Sequence, residues 1–417
     1  MKNSSYSGFY KLSVEERLQE VVEFSDLKEE TIKSLQDGEA LDMDRADHMI
    51  ENVIGRFSLP LSVALNFVVN GKDYLIPMVT EEASVVAAAS NAAKLARKNG
   101  GFYADNTGSI MIAQVQVTNI ADPQYTKNII YENKEEILKI CNDRDPVLVK
   151  LGGGAQDIEV RILKTASEDM VILHLKVNTL DAMGANAVNS MAEAVAPFVE
   201  KITGGTVYLR ILSNLAVERL VRARTKIAKV DLGGEEVVDK IVSAYEFAAA
   251  DPFRATTHNK GIMNGISAAV LATGNDTRAI ESGAHAYASL QGQYRPLTIW
   301  EKDKDGNLSG SIELPLALGL VGGATKIHPT AQAAIEILGV EHATELGNVI
   351  ASLGLAQNLA AVKALATEGI QKGHMSLHAK NVAITAGARG GEIDSIVKKM
   401  IEENNINVEY AKTLLKE

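Results

Sequence analysis

The sequence predicts an α+β fold in which a large, mostly helical domain carries an inserted ferredoxin-like domain and ends in a small helical flap. Three observations lead to this prediction. The chain has 417 residues, which is more than one hydrophobic core usually supports. Apolar residues recur at helical spacing on both sides of the central segment. Between residues 109 and 215, segments of strand and helix character follow in the order βαββαβ, which is typical of ferredoxin-like domains.

Segments in the first 108 residues indicate helix, hairpin and helix in turn. Ser13 begins a capping box at the start of the first helix. Two β-prone runs, 62–69 and 73–79, are joined by Asn-Gly, the strongest signal for a two-residue hairpin turn. An Ala-rich helix is predicted over about 84–98 and ends before a pair of glycines. Glu82 is therefore expected at a strand-to-helix junction.

The inserted domain is predicted over 109–215. Its strands are predicted at 109–118, 157–164, 170–178 and 207–212, and its helices at 125–141 and 185–202. The large domain then resumes. Its elements are predicted as helices at 233–250, 261–272, 276–290 and about 344–370, and as a hairpin of 297–302 with 308–314. The tail, 375–417, indicates two or three short helices.

Composition argues against several classes of protein. The 42 basic and 53 acidic residues give a net charge of −11, which disfavours nucleic acid as a partner because phosphate binding needs a basic face. No apolar run approaches the roughly 18–20 residues that span a bilayer, and no signal peptide is visible, so we expect no membrane partner. The single cysteine, Cys141, excludes an intramolecular disulfide and a cysteine-based zinc cluster. A cytoplasmic location is the simplest interpretation.

Standard nucleotide-binding fingerprints are missing, and the glycine-rich run at 319–326 has the wrong order for a phosphate loop. The segment from Asp181 to Asn186 is a better candidate, because it lies between a predicted strand and a predicted helix. Gly184 at the helix start permits close approach of a ligand, and the free N–H groups there attract phosphate. A plain helix-entry turn is the alternative.

A second polar cluster runs from Arg254 to Gly265, beside apolar helix. Its Arg, His, Lys and two Asn side chains favour an anion or carbonyl site over a solvated loop. Lys260 could share a proton with Glu82 and Asp276, although Asp276 could also be only the N-cap of the next helix.

Two histidines, His374 and His378, have the i, i+4 spacing of metal ligands. The general-base Glu of the His-Glu-x-x-His motif is absent, so an acid/base or structural histidine is favoured and no metal is expected.

Together these motifs resemble one family. In chain order they are Glu51-Asn52-Val53-Ile54-Gly55, Glu81-Glu82-Ala83-Ser84-Val85-Val86-Ala87-Ala88, Asp181-Ala182-Met183-Gly184-Ala185-Asn186, His258-Asn259-Lys260-Gly261, Gly274-Asn275-Asp276 and Gly373-His374-Met375. The chain resembles the 3-hydroxy-3-methylglutaryl-CoA (HMG-CoA) reductases of class II, the soluble bacterial and archaeal type. The likeness extends from about Lys11 to the end of the chain. It departs at Ala83, where class II members usually have proline.

The resemblance implies a reduction of HMG-CoA to mevalonate and CoA by two hydride transfers from a nicotinamide cofactor, a step of isoprenoid biosynthesis. The same enzyme could run in reverse, oxidising mevalonate. A non-catalytic binding module is the alternative of a different class, and an assay for nicotinamide oxidation with the acyl-CoA distinguishes it.

The resemblance also assigns domains. Residues 1–108 and 216–374 would form the substrate domain, 109–215 a non-Rossmann dinucleotide domain, and 375–417 a flap that closes with His374 at its hinge. Glu51–Gly55 matches a dimer-interface motif. The implied partner is a second copy of the chain, as a homodimer or a multiple of dimers, with the active site between subunits.

Site residues follow from the same resemblance. The implied catalytic residues are Glu82, Lys260, Asp276 and His374. The implied substrate-binding residues are Arg254, Ser84, Asn264, Asn214 and, near the CoA phosphates, Lys11. The implied cofactor-binding residues are Asp181, Met183, Gly184, Ala185 and Asn186, together with Asp145 at the adenosine ribose.

Asp145 predicts a preference for NADH over NADPH. A carboxylate there can accept hydrogen bonds from a ribose hydroxyl and repels a 2′-phosphate. A solvated loop acid is the alternative, and the neighbouring Arg144 could favour the phosphate.

Overall fold

The computed structural model describes residues 2–38, 40–367, 369 and 379–416. It has a mixed α+β fold, which confirms the predicted fold class. The strands are β1 (Leu61–Val69), β2 (Lys72–Val79), β3 (Phe102–Asn106), β4 (Ile110–Thr118), β5 (Gly154–Lys164), β6 (Asp169–Asn178), β7 (Thr206–Ser213), β8 (Leu220–Ile227), β9 (Thr298–Lys302) and β10 (Leu308–Pro315).

Helices make up much of the rest of the described chain. The labelled ones are α1 (Val14–Ser25), α2 (Glu29–Gln36), α3 (Met43–Met49), α4 (Val85–Arg97), α5 (Pro123–Glu132), α6 (Lys134–Arg144), α7 (Pro146–Lys150), α8 (Ala185–Thr203), α9 (Lys229–Leu232), α10 (Glu235–Ala250), α11 (Pro252–Ala272), α12 (Thr277–Tyr287), α13 (Gly323–Ile327), α14 (Pro329–Leu338) and α15 (Ala343–Ala366). The described tail is helical over 379–386, Glu392–Glu402 and Val408–Leu414, around its own small apolar cluster.

A six-stranded sheet in the order β2–β1–β3–β8–β10–β9 forms the centre of the larger part of the molecule. The predicted hairpin β1–β2 is present, and its turn residues Asn70 and Gly71 both have positive φ, at 50° and 81°, as a type I′ turn requires. The central strands β3 and β8 were not predicted from the sequence. Of these β3 is only five residues long, and its pairing with β8 joins segments more than a hundred residues apart.

The four-stranded sheet has the order β5–β6–β4–β7, with every neighbouring pair antiparallel. The elements from β4 to β7 follow in the predicted order βαββαβ, and the strand order is that of a ferredoxin-like sheet. Helices α5, α6 and α8 pack on this sheet and against one another. The short helix α7 is an addition that the sequence did not predict.

Helix α11 differs from its prediction, because it begins at Pro252 and not at 261. Asp251 caps it by accepting a hydrogen bond from the Arg254 N–H at 3.0 Å, and Pro252 occupies the first position, where proline suits a helix. The polar run from Arg254 is therefore helical. A side chain at Gly265 would approach Gln357 of α15 to 3.0 Å, so glycine here lets the two helices pack closely.

Helix α15 is the central helix of this part and packs against α4, α11 and the six-stranded sheet. By length and composition it is the one helix among the described residues that could cross a membrane, but 67 % of its apolar window is buried inside the protein. That burial is typical of the core helix of a folded domain.

Candidate active site

The predicted pair of Glu82 and Lys260 is formed. Glu82 lies at the junction of β2 and α4, and Lys260 lies near the middle of α11, which packs on β2. The Lys260 Nζ atom is 3.1 Å from Glu82 Oε2, and 61 % of the lysine side chain and 43 % of the glutamate side chain are exposed. The pair therefore joins two distant parts of the chain in a position that a substrate can reach.

The turn before α4 has an unusual backbone. Ser84 has φ 74°, in the left-handed region, and occupies the N-cap position of α4. The Glu82 N–H donates to the Thr80 hydroxyl at 3.2 Å, which fixes the turn that carries the glutamate. Non-glycine residues in this region are uncommon and cluster at functional sites. The substrate role that the resemblance implies for Ser84 thus falls on a strained turn.

Helix α11 also carries Arg254 and Asn264, both half-buried. Asn264 is four residues after Lys260, which places the two side chains on the same face of the helix. Arg254 is four residues before His258, and its charge helps to lower the pKa of that histidine. The predicted substrate residues on α11 therefore extend on both sides of Lys260.

A buried network of polar side chains joins α11 to β9 and α15. The His258 Nε2 atom is 2.7 Å from Thr298 Oγ1, and the Thr298 hydroxyl donates to Asn358 Oδ1 at 3.0 Å. The same Asn358 oxygen accepts from the Trp300 indole at 2.7 Å. Burial lowers the pKa of His258 to about 4, so its ring is neutral at physiological pH. The sequence analysis missed this network, since its members come from three separate elements.

A cavity of about 1440 Å³ opens where α11 ends. Met183, Gly184, Ala185, Asn186 and Asp145 all line it, so the structure brings these predicted cofactor residues together. A methyl group on Gly184 would come within 2.3 Å of the Thr179 side chain, and Gly184 has φ 96°. Only glycine fits at this turn, which leads the chain into α8 at the edge of the cavity.

Asp276 lines the same cavity. It caps α12 by accepting from the N–H groups of Arg278 and Ala279 at 2.9 and 3.1 Å, and it forms an ion pair with the Arg278 side chain at 3.3 Å. Lys260 is a long way off, because the helix axis advances about 18 Å over the twelve residues from Lys260 to Ala272, at 1.5 Å each. In the described chain Lys260 pairs with Glu82 and Asp276 pairs with Arg278, so the expected contact between Lys260 and Asp276 stays a prediction for a site shared with a second chain.

Asp181 has partners of its own at the start of α15. Its carboxylate accepts from the Ala343 N–H at 2.7 Å and contacts His342 Nδ1 at 3.1 Å, which raises the pKa of His342. It therefore faces the start of α15 and does not line the cavity. Asp145 does line the cavity, and it also caps α7 by accepting from the Leu148 N–H at 3.0 Å.

Two predicted residues, Asn214 and Lys11, do not line the cavity. Asn214, in the link between β7 and β8, is exposed, and its backbone carbonyl lies against Gly283 of α12. Lys11 is exposed, with its ammonium group 5.8 Å from the centre of the Tyr10 ring. His374 and His378 fall outside the described residues. Among the residues that are described, no group of three or more His, Cys, Asp or Glu side chains could hold a metal ion.

The structure thus has the two parts that a cofactor-dependent reductase needs, a cation paired with a carboxylate and a large cavity beside a glycine turn. The family model of hydroxymethylglutaryl-coenzyme A reductase matches residues 13–379. The chain belongs to the hydroxymethylglutaryl-coenzyme A reductase family.

Individual relatives support the same assignment. The chain is 59 % identical to the 3-hydroxy-3-methylglutaryl-coenzyme A reductase of Archaeoglobus fulgidus, over 99 % of this chain and 94 % of that protein. It is 34 % identical to the probable enzyme of Borreliella burgdorferi, over 100 % of this chain and 98 % of that protein.

Solved structures agree. The reductase of Streptococcus pneumoniae aligns with a TM-score of 0.86 at 42 % identity, covering 99 % of each chain. A second structure, of the class II enzyme of that organism bound to NADPH in open conformations, aligns with a TM-score of 0.85 at 43 % identity. It covers 87 % of this chain and 100 % of the other. The predicted resemblance to class II is confirmed.

Proposed function

We propose that the protein reduces HMG-CoA to mevalonate and free CoA with two hydrides from a nicotinamide cofactor. The observation that carries the proposal is the ion pair of Lys260 and Glu82, formed between the two motifs that the family would use for chemistry. The cavity beside Gly184 supports it, because the chain approaches closely there and the N–H groups at the start of α8 can face an anionic cofactor. The bound cofactor supplies the hydrides.

The two polar groups have complementary tasks. When hydride reaches the thioester carbonyl, negative charge develops on its oxygen, and the Lys260 ammonium stabilises that charge. Glu82, within hydrogen-bond distance of the lysine, must be in its protonated form at this step, and it then supplies the proton that turns the oxygen into the hydroxyl of a thiohemiacetal. Collapse of the thiohemiacetal breaks the C–S bond and gives an aldehyde and CoA thiol. A second hydride and proton give the alcohol of mevalonate.

The roles of other residues are proposed because their positions match motifs of the family. His374 would protonate the departing CoA thiolate, a task suited to a histidine. Arg254, Ser84, Asn264 and Asn214 would hold the hydroxymethylglutaryl portion, and Lys11 would approach the CoA phosphates. An acidic protein must concentrate positive charge locally to bind anionic CoA, and Lys11 and Arg254 would do so.

The separation along α11 supports an active site shared between subunits. Lys260 and Asp276 have separate partners in the described chain, whereas a twofold dimer can bring the Lys260–Glu82 pair of one subunit to Asp276 of the partner subunit. The segment beside the cavity exposes large apolar side chains, with Ile50 at 66 % and Phe57 at 90 %. Such a patch favours burial against another protein surface, and a homodimer or a multiple of dimers meets this need.

We propose that the enzyme prefers NADH and works in the cytoplasm. Asp145 in the cavity supports NADH over NADPH, because its charge opposes a 2′-phosphate. A structure of the Streptococcus pneumoniae relative is bound to NADPH, so the preference has to be measured with both cofactors. We propose a cytoplasmic enzyme without a resident metal, and the burial of α15 is consistent with a protein that does not enter the membrane.

The decisive experiment follows the nicotinamide absorbance band after addition of HMG-CoA, with NADH and NADPH in parallel. We expect two molecules of reduced cofactor to be consumed for each CoA thiol released. Binding of the cofactor without oxidation, in a protein that is folded by circular dichroism, would contradict the proposal and favour a binding module.

A further inference from the structure

Arg219 is the most deeply buried charged side chain near the cavity, with 2 % of its surface exposed. It lies in the link that returns from β7 to β8. Its Nη1 atom donates to Thr179 Oγ1 and to the Ala182 carbonyl, each at 3.1 Å, while Nη2 donates to the Leu318 carbonyl. One guanidinium therefore joins the four-stranded unit to a segment that follows β10.

The turn held by Nη1 is the one that leads to the cavity. Leu180 has φ 52° and Gly184 has φ 96°, so two left-handed residues occur within five positions. A leucine in that region is strained, and such a conformation persists only when its surroundings fix it. The bonds from Arg219 to Thr179 and Ala182 supply that constraint directly before Met183 and Gly184.

The segment held by Nη2 connects to Asp276. The Gly319 N–H donates to Asn275 Oδ1 at 2.7 Å, and the Leu320 N–H donates to the Asp181 carbonyl at 2.8 Å. A side chain at Gly319 would come within 2.6 Å of the Met183 nitrogen, so the segment packs directly on the turn. Asn275 precedes Asp276, and the same bonds therefore set the distance between the turn and that aspartate.

The charge of Arg219 survives its burial. Desolvation lowers its pKa to about 10, and the nearby Asp181 acts in the opposite direction. Asp181 is not a cavity residue, but its negative charge compensates the guanidinium while its carboxylate holds the start of α15. The guanidinium has four oxygen acceptors, including the Met183 carbonyl at 3.5 Å, and burying such a cation is costly for stability unless its geometry is needed.

We propose that Arg219 is a positioning residue for the nicotinamide cofactor, which fixes the turn from Thr179 to Gly184 relative to Asp276. The inference rests on the proposed function of the cavity. The planar guanidinium is essential, because it donates in two directions at once, and a lysine ammonium at the end of a flexible chain cannot reproduce that fork.

The test compares Arg219→Lys with Arg97→Lys. Arg97 is a matched control, since its guanidinium also joins three groups, Asp73 at 2.6 Å, Asn3 at 2.8 Å and Ser4 at 3.2 Å, but on a different part of the molecule. We measure the dissociation constants of NADH and of CoA, the melting temperature, and kcat and KM for each substrate. For Arg219→Lys we expect the dissociation constant of the cofactor to rise about 10- to 100-fold, as for a lost charge-assisted hydrogen bond. We expect that of CoA to stay within about twofold.

Four outcomes are distinguishable. Unchanged cofactor affinity in Arg219→Lys, with an active wild type, overturns the inference and leaves the proposed function intact. Equal losses for cofactor and CoA, with a lower melting temperature as in Arg97→Lys, show a purely structural role and also overturn it. If Arg219→Lys does not fold, Thr179→Val decides, because it keeps the side-chain size and removes the hydroxyl that accepts from Arg219 and donates to the Ala182 carbonyl at 2.9 Å; weaker cofactor binding is then required. An inactive wild type that binds no cofactor refutes the proposed function itself.

Discussion

The Lys260–Glu82 pair contributes little to the free energy of unfolding. A substitution can therefore test its catalytic role without unfolding the protein. Both side chains are exposed, and exposed ion pairs are typically worth about 0–1 kcal/mol. The chemical role is much larger, because the loss of one group that stabilises a developing oxyanion costs on the order of 10²–10³ in rate. We therefore expect Lys260→Ala to lose at least that factor in kcat while its melting temperature and its oligomeric state stay unchanged.

The control is a second exposed pair of the same kind. Lys229 and Glu235 are 2.9 Å apart and comparably exposed, but lie away from the cavity residues. Lys229→Ala should retain wild-type turnover. Near wild-type kcat in Lys260→Ala would show that another group stabilises the oxyanion.

His258 gives a prediction about pH. Its pKa is about 4 in the folded protein and about 6.5 in the unfolded chain, so the unfolded state binds the proton first as the pH falls. The stabilising effect of the neutral ring is complete above pH 6.5 and is lost between pH 6.5 and 4, to a total of about 3 kcal/mol. In His258→Gln we expect the free energy of unfolding to fall less steeply over this range, by up to about 1.4 kcal/mol per pH unit. Parallel curves for the two proteins would contradict a buried, neutral His258.

At the residue scale, the sequence indicated candidate functional residues better than it indicated the contacts that their side chains make. Glu82 and Lys260 were expected to meet, and they do. The role of Asp181 at the cofactor stays a prediction, and the sequence did not indicate its contacts with His342 and Ala343, which are 161 and 162 residues away in the chain. No local pattern reveals such a pairing, because it depends on how α15 packs against the turn.

At the scale of elements, the sequence predicted helices and strands correctly where residues close in the chain determine the structure. The Asn-Gly turn gave β1–β2, and the capping box at Ser13 gave α1, where Ser13 accepts from the Glu16 N–H and Glu16 accepts in return. Helix α11 was mispredicted at its start because its glycines and polar residues have low helix propensity, which packing against α15 overrides.

Asp145 has two separable roles, the observed cap of helix α7 and the proposed repulsion of a 2′-phosphate. The side chain caps this helix, and an asparagine caps as well as an aspartate does, so Asp145→Asn removes the charge and keeps the cap. If the carboxylate repels a 2′-phosphate, the ratio of kcat/KM for NADH to that for NADPH should fall about 10-fold or more in the variant. Steady-state kinetics with both cofactors measure this ratio.

Asp143→Asn is the matched control, since Asp143 is an exposed acid two positions away that pairs with Lys139 at 3.0 Å. It should leave the ratio unchanged. A wild type that clearly prefers NADPH, or an unchanged ratio in Asp145→Asn, would refute the role of Asp145.

At the scale of the whole molecule, the two halves of the proposed site lie near the middle of α11 and beyond its end. Lys260 pairs with Glu82 near the middle of α11, and Asp276 lines the cavity beyond its end. The sequence contains both motifs but no measure of the distance between them, since that distance follows from the unbroken course of the helix. If both motifs belong to one reaction centre, as we propose, a second copy of the chain completes the site.

Heterodimers test this arrangement directly. We co-express Lys260→Ala and Asp276→Asn chains with different affinity tags and purify the mixed dimer. If each site takes its lysine from one subunit and its aspartate from the other, one of the two sites combines both intact residues, and we expect about half of the wild-type activity per dimer. The control pairs a wild-type chain with a chain that carries both substitutions. There, every shared site has one defect and activity should be lost, whereas sites contained within single chains would give the opposite pattern, an inactive first dimer and a half-active control.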